Sequence, residues 1–133
     1  MGMRGVTSVD IAVSGLKAEA LRMNVIATNI ANANTTRTDS GQPFRRQEVI
    51  LSTAGELSGV DVRQVAPDLA SPFKQVYQPG HPDADAQGFV RMPNVDLPVE
   101  MINLVTANRA YQANAAVLKR YQESVETALE LLR

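Results

Sequence analysis

Residues 97–133 read LPVEMINLVTANRAYQANAAVLKRYQESVETALELLR. Leu97, Met101, Leu104, Asn108, Tyr111, Ala115, Leu118, Gln122, Val125, Leu129 and Leu132 recur at steps of four and three, the heptad period of an amphipathic helix. Asp96 stands where an N-cap belongs, and Pro98 falls in the first turn, where its missing N–H costs nothing. The period predicts a helix over Leu97–Leu132. Of the seam positions only Asn108 and Gln122 are polar. Polar groups there either set register and partner choice or turn to solvent as a straight helix drifts against the heptad.

Length makes this segment decisive. At 1.5 Å per residue it extends about 55 Å. A compact chain of 133 residues has a radius of gyration near 14 Å and is only about 35 Å across. The helix must project from such a body, and its apolar stripe needs cover.

One internal partner is available upstream. Val9, Val13, Leu16, Ala20, Met23, Ala27 and Ile30 keep the same steps, so a helix is predicted over Thr7–Ala31, with Thr7 or Ser8 as its cap. It is about 33 Å long over that stripe, shorter than its partner. The unmatched stripe calls for another chain. The segment between the helices leaves one helix end and returns to the start of the other, which predicts an antiparallel pair.

The first helix closes in an unusual way, with NIANANTTRT at 29–38. Asn29 and Asn32 are three apart and share a face; Asn34 lies just beyond, where a left-handed cap tolerates asparagine. Asparagine competes with the backbone for hydrogen bonds, so three in succession need an explanation. The expectation is that Asn34 caps the helix while Asn29 and Asn32 tie its last turn to the following segment or to a neighbouring subunit.

Residues 35–93 differ in composition, holding six of the seven prolines and five of the eight glycines. Alternating runs at 48–52, 59–65, 73–77 and 88–92 read as strands, bounded by turn sequences SGQP, TAGELSG and QPGHPD. The fold class is therefore α+β. Two long terminal helices (1–34 and 94–133) pack as an antiparallel, coiled-coil-like pair around a small β-rich insert (35–93).

Composition narrows the chemistry. The net charge of −1 gives no basic stripe for nucleic acid. No apolar run is long enough to insert in a membrane, and the first residues show neither the apolar segment nor the cleavage site of a secretory signal. With no cysteine, disulfides and thiolate chemistry are excluded.

The single histidine lies in GHPDADAQG, where His81, Asp83 and Asp85 resemble half of a calcium loop. The match ends at Gln87, and Asn94 stands where a bidentate glutamate belongs, so a proline-bounded turn is the better reading. No nucleophile elbow, phosphate loop or dinucleotide fingerprint occurs. The sequence predicts no catalytic residue, metal or cofactor. Arg45 and Arg46 fall on opposite faces of an extended run, and a solvated edge is preferred over a charged subunit contact.

DIAVSGLKAEALRMNVIATNIANANTTRT resembles the N-terminal signature of bacterial flagellar axial proteins, and VYQPGHPDADAQGFVRMPNVDLPVEMINLVTANRAYQANAAVLK resembles the C-terminal half of the proximal-rod type. The two blocks cover a little over half of the chain, and residues 47–70 carry little of the likeness. TTRTDSGQPF lacks the Gly-aromatic pair usual in hook and distal-rod relatives, which favours the proximal rod.

The resemblance implies a non-enzymatic subunit of the basal-body rod, a torque-transmitting shaft in the periplasmic space. Its partners would be further copies of itself, other rod proteins and, in transit, the flagellar type III export apparatus. The expected subunit contacts are Val9, Val13, Leu16, Met23, Ile30, Asn29, Asn32 and Asn34 on the first helix. On the second they are Met101, Leu104, Asn108, Tyr111, Leu118, Gln122, Val125, Leu129 and Leu132. The competing reading is a cytoplasmic adaptor or export chaperone whose helical hairpin grips a partner helix.

Overall fold

The computed structural model describes residues 7–53 and 59–133. Residues 1–6 and most of the TAGELSG turn lie outside the described residues. Helix α1 (Ser8–Ala31) is followed by strands β1 (Gln47–Thr53), β2 (Val60–Pro67), β3 (Lys74–Tyr77) and β4 (Phe89–Met92), then helix α2 (Leu97–Leu131).

Thr7 begins α1 with a reciprocal cap. Its hydroxyl accepts from the Asp10 N–H at 3.2 Å, and the Asp10 carboxylate accepts from the Thr7 N–H at 3.1 Å. Asp96 occupies the N-cap position of α2 but makes no side-chain cap bond, and Pro98 lies in the first turn. At its far end α1 is closed by Asn32 rather than Asn34, because no residue other than glycine adopts a positive φ among those described. Asn34 is exposed and does not cap the helix.

The strands form two separate antiparallel pairs, β1 with β2 and β3 with β4. A bulge between Ile50 and Leu51 shifts the register of the first pair. This hairpin rests on α1, where the Val60 N–H donates to the Ser14 hydroxyl at 3.1 Å. Gly59 adopts φ +89° against Ile11 and Ser14, and a side chain there would collide with the helix.

The helices run antiparallel. Asn29 and Glu100 meet the same short segment, Arg46–Gln47, and Gly15 faces Asn114, each lying an equal number of residues further along. Most of the fully buried helix positions are one residue round from the heptad series. Ala12, Ala18, Ile26 and Asn29 of α1, and Glu100 and Ala107 of α2, are buried. Val9, Val13, Leu16, Met23 and Ile30 are only half-buried, as are Leu104, Ala115 and Leu118. Leu97, Met101, Asn108, Tyr111, Gln122, Val125, Leu129 and Leu132 are exposed. Small residues win the inner seam because they let two backbones approach closely.

Gly15 marks the closest approach. A Cβ there would lie 2.6 Å from the Asn114 amide nitrogen. Gly15→Val is expected to destabilise the chain by about 1–3 kcal/mol through overpacking. Thermal unfolding checks this, and adding Asn114→Ala should return part of the loss. A Gly15→Val protein as stable as the parent would refute the close contact.

Candidate functional site

Two features stand out: a polar junction where the helices meet the insert, and an uncovered face of α2. The junction begins with Asn29, which is fully buried. Its amide donates to the Gln47 carbonyl and accepts from the Gln47 N–H, both at 2.9 Å. All of the backbone polarity of Gln47 is thus matched by one side chain. Asn32 instead bonds locally, donating to the Thr28 carbonyl at 2.9 Å and accepting from the Thr35 hydroxyl at 3.2 Å. Of these two asparagines, Asn29 is the one that ties α1 to the insert.

Arg46 stands beside this pair. Its guanidinium donates to the carboxylate of Glu100, in the first turn of α2, and also pairs with Glu48. The Asp68 carboxylate lies 3.6 Å away. Glu100 has no solvent exposure, and its Oε2 has no hydrogen-bond partner among the described residues. Arg46 is the only countercharge that reaches it among those residues. Burial works to lower the Arg46 pKa, but hydrogen bonds to Glu100 and Glu48 outweigh it and hold the group above its usual value.

Asn94 completes the cluster. Its Oδ1 accepts from the Arg46 N–H at 2.7 Å, and its Nδ2 donates to the carbonyls of Asp68 and Ser71, both at 3.1 Å. Asp68 accepts from the Ala70 and Ser71 N–H groups at 3.1 Å. The Ser71 backbone bond is the main cause holding the Asp68 carboxyl below its usual range; burial opposes it, and the Ser71 hydroxyl, Ala70 and Arg46 reinforce it.

The solvated-edge reading of Arg45 and Arg46 is therefore overturned. Arg46 is one-fifth exposed and bridges the insert to α2, while Arg45 donates to the Asp68 carbonyl at 3.0 Å. Both are engaged because the chain here crosses between two helix ends. Glu100, Asp68 and Asn94 escaped the sequence reading. Glu100 resembled an ordinary first-turn acid, and nothing local distinguished the other two.

The histidine turn is committed to its own folding. Asp83 accepts from the Thr36 hydroxyl at 2.6 Å and pairs with Arg37 at 3.2 Å. Asp85 accepts from the Gln87 and Phe89 N–H groups at 2.9 Å, and the Asp83 N–H donates to His81 at 3.0 Å. These bonds draw the turn against the exit of α1.

The second feature is the outer face of α2. Met101, Ile102 and Val105 are 53 %, 66 % and 52 % exposed, and beyond Leu118 every residue of the helix is exposed. No helix among the described residues is long and apolar enough to cross a membrane. A soluble surface rarely leaves so long an apolar stripe open unless it meets a partner.

The difference between the two asparagines is measurable. Asn29→Leu strands the Gln47 N–H and carbonyl and is expected to cost about 1–3 kcal/mol for each orphaned group. Asn32→Leu, at a more open position, should cost clearly less. Urea unfolding of the two variants side by side checks the order.

Two family descriptions match the sequence: "Flagella basal body rod protein" over residues 10–37 and "Flagellar basal body rod FlgEFG protein C-terminal" over residues 86–131. The chain is 49 % identical to the flagellar basal-body rod protein FlgC of Yersinia enterocolitica, over 82 % of this chain and 84 % of the relative. It is 44 % identical to FlgC of Salmonella typhimurium, over 92 % and 93 % of the two chains. Against FlgC of Escherichia coli O157:H7 the identity is 43 %, over 92 % and 93 %. At these identities over nearly the whole chain, with the matched segments falling on α1 and α2, the chain belongs to the FlgC family, structural proteins of the flagellar basal-body rod.

Proposed function

We propose that this chain assembles into the rod through the outer faces of its two helices, in coiled-coil-like contact with further copies and with other rod proteins. The observation that carries this reading is the exposed stripe of α2, apolar over Met101, Ile102 and Val105 and continuing to Leu129 and Leu132 past the end of α1. An antiparallel pair that buries alanines and leaves larger apolar residues exposed is suited to packing against neighbours. The heptad residues are then intersubunit contacts, and the inner seam is the intramolecular one.

On this reading residues 1–34 and 94–133 form the axial unit, and 35–93 flank it. The rod's place is the basal body, across the periplasmic space, and the route there is the flagellar type III export apparatus that the resemblance implies. Torque passes through the array as shear between helices. An adaptor gripping one partner helix would need only part of this stripe, and similarity to FlgC proteins over almost the whole chain favours the rod.

Because the chain has no cysteine, single cysteines report cleanly on cover. Ile102→Cys and Leu129→Cys are expected to react with a maleimide in the purified monomer and to be protected in isolated basal bodies. Equal labelling of both sites in the two states would overturn the assembly face.

A further inference from the structure

A patch on the insert is left without its counterpart. Phe73, just before β3, carries two guanidiniums against its ring, with Arg45 at 4.2 Å and Arg91 of β4 at 4.9 Å from the centroid. Arg45 donates to the Asp68 carbonyl, but neither arginine belongs to an ion pair among the described residues. They line a shallow groove together with Leu69, which is 76 % exposed. Two like charges converging on one ring beside an open leucine suit an acidic, partly apolar segment.

Such a segment lies at the other extreme of the chain. Glu123, Glu126 and Glu130 recur at steps of three and four and so share one face of α2, with Leu129 (59 % exposed) beside them. Lys119, Arg120 and Arg133 flank the run, but no ion pair among the described residues engages the three glutamates. The last turn of α2 holds no base, so Glu130 sits against the negative end of the helix dipole. That placement is unfavourable in an isolated chain and favourable once a cation arrives.

The two surfaces cannot meet within one molecule. Glu126 is about 39 Å along the helix from Glu100, which is anchored at the insert. We propose that the groove between Arg45 and Arg91 receives the glutamate face of the free end of α2 from a second copy of this chain. Unlike patches meeting in this way make a head-to-tail contact, which propagates rather than closes when the operator is a screw. The inference rests on the reading of the chain as a rod subunit and names one of its contacts.

Charge reversal tests it in a strain carrying the variants in place of the native gene. Arg91→Glu and Glu126→Arg are each expected to weaken association about tenfold or more and to reduce swarming, and the two together should restore it. Thermal unfolding of each purified variant separates lost folding from lost contact. Independently, Arg91→Cys with Glu126→Cys in this cysteine-free chain should give cross-linked copies in isolated basal bodies when treated with a short bis-maleimide. Full swarming in both reversals, failure of the pair to rescue, or cross-links only to a different rod protein would overturn the proposal. Absence of the native chain from purified basal bodies would instead overturn the rod reading beneath it.

Discussion

Arg46→Ala is expected to lower the unfolding free energy by about 3–5 kcal/mol, the loss typical when one member of a buried ion pair is removed. Glu100 has no exposure, and one of its oxygens already lacks a partner. Without Arg46 the charge would stand alone between the end of α1 and the start of α2. Natural domains hold only about 5–15 kcal/mol in total, so this one change approaches the margin for folding. The pairing, rather than the charge itself, is what the fold needs. Arg46→Met with Glu100→Leu should therefore recover most of the loss, since an apolar pair of similar bulk avoids desolvating two ions. Urea unfolding of the singles and the double checks both claims. A double variant no better than Arg46→Ala would show that the bonds of Arg46 to Glu48 and Asp68 matter more.

Ile102→Asp should behave in the opposite way, leaving the monomer intact and abolishing motility. The side chain is 66 % exposed, and surface changes of this kind usually shift stability by about 0.5 kcal/mol or less. On the proposed reading the same position is covered in the array, where an unpaired carboxylate would cost several kcal/mol. The penalty recurs in every subunit that presents the face. The expected outcome is a folded, exported protein missing from isolated basal bodies in non-swarming cells. Normal swarming would mean that this stretch of α2 faces solvent in the rod.

The helices and strands were legible because each follows a period that backbone geometry imposes. The steps of four and three located α1 and α2 to within a residue at each end, and alternation found all four strands. The phase of the helix contact was not legible. Hydrophobicity marks every face that will be covered, by whatever chain covers it, and the bulkiest apolar stripe lies outside the intramolecular seam. The buried Ala12, Ala18 and Ala107, and Gly15 against Asn114, are residues whose small size carries little hydrophobic signal.

The asparagine motif was read half correctly for a related reason. The spacing of Asn29 and Asn32 put both on one face, but only the path of the chain beyond Phe44 decided which would find Gln47. Arg46 and Glu100 are 54 residues apart, and no local pattern links them. Glu100 falls one position from the heptad series, where a charged residue reads as solvent-facing.

Gly15 lies against Asn114, about three-quarters of the chain away, and this separation sets an expectation for the order of events in folding. Contacts so distant in sequence form slowly, because the intervening loop must lose its freedom before they yield anything. Most of the stability of a protein helix comes from packing its amphipathic face, so α1 and α2 gain little by forming before they meet. The hairpins, whose partners are close in sequence, can close first and shorten the effective loop. Zippering of the helices is then expected last. On the export route proposed above, a chain whose longest elements lock last would stay pliable long enough to pass as a thread through an opening too narrow for its finished form.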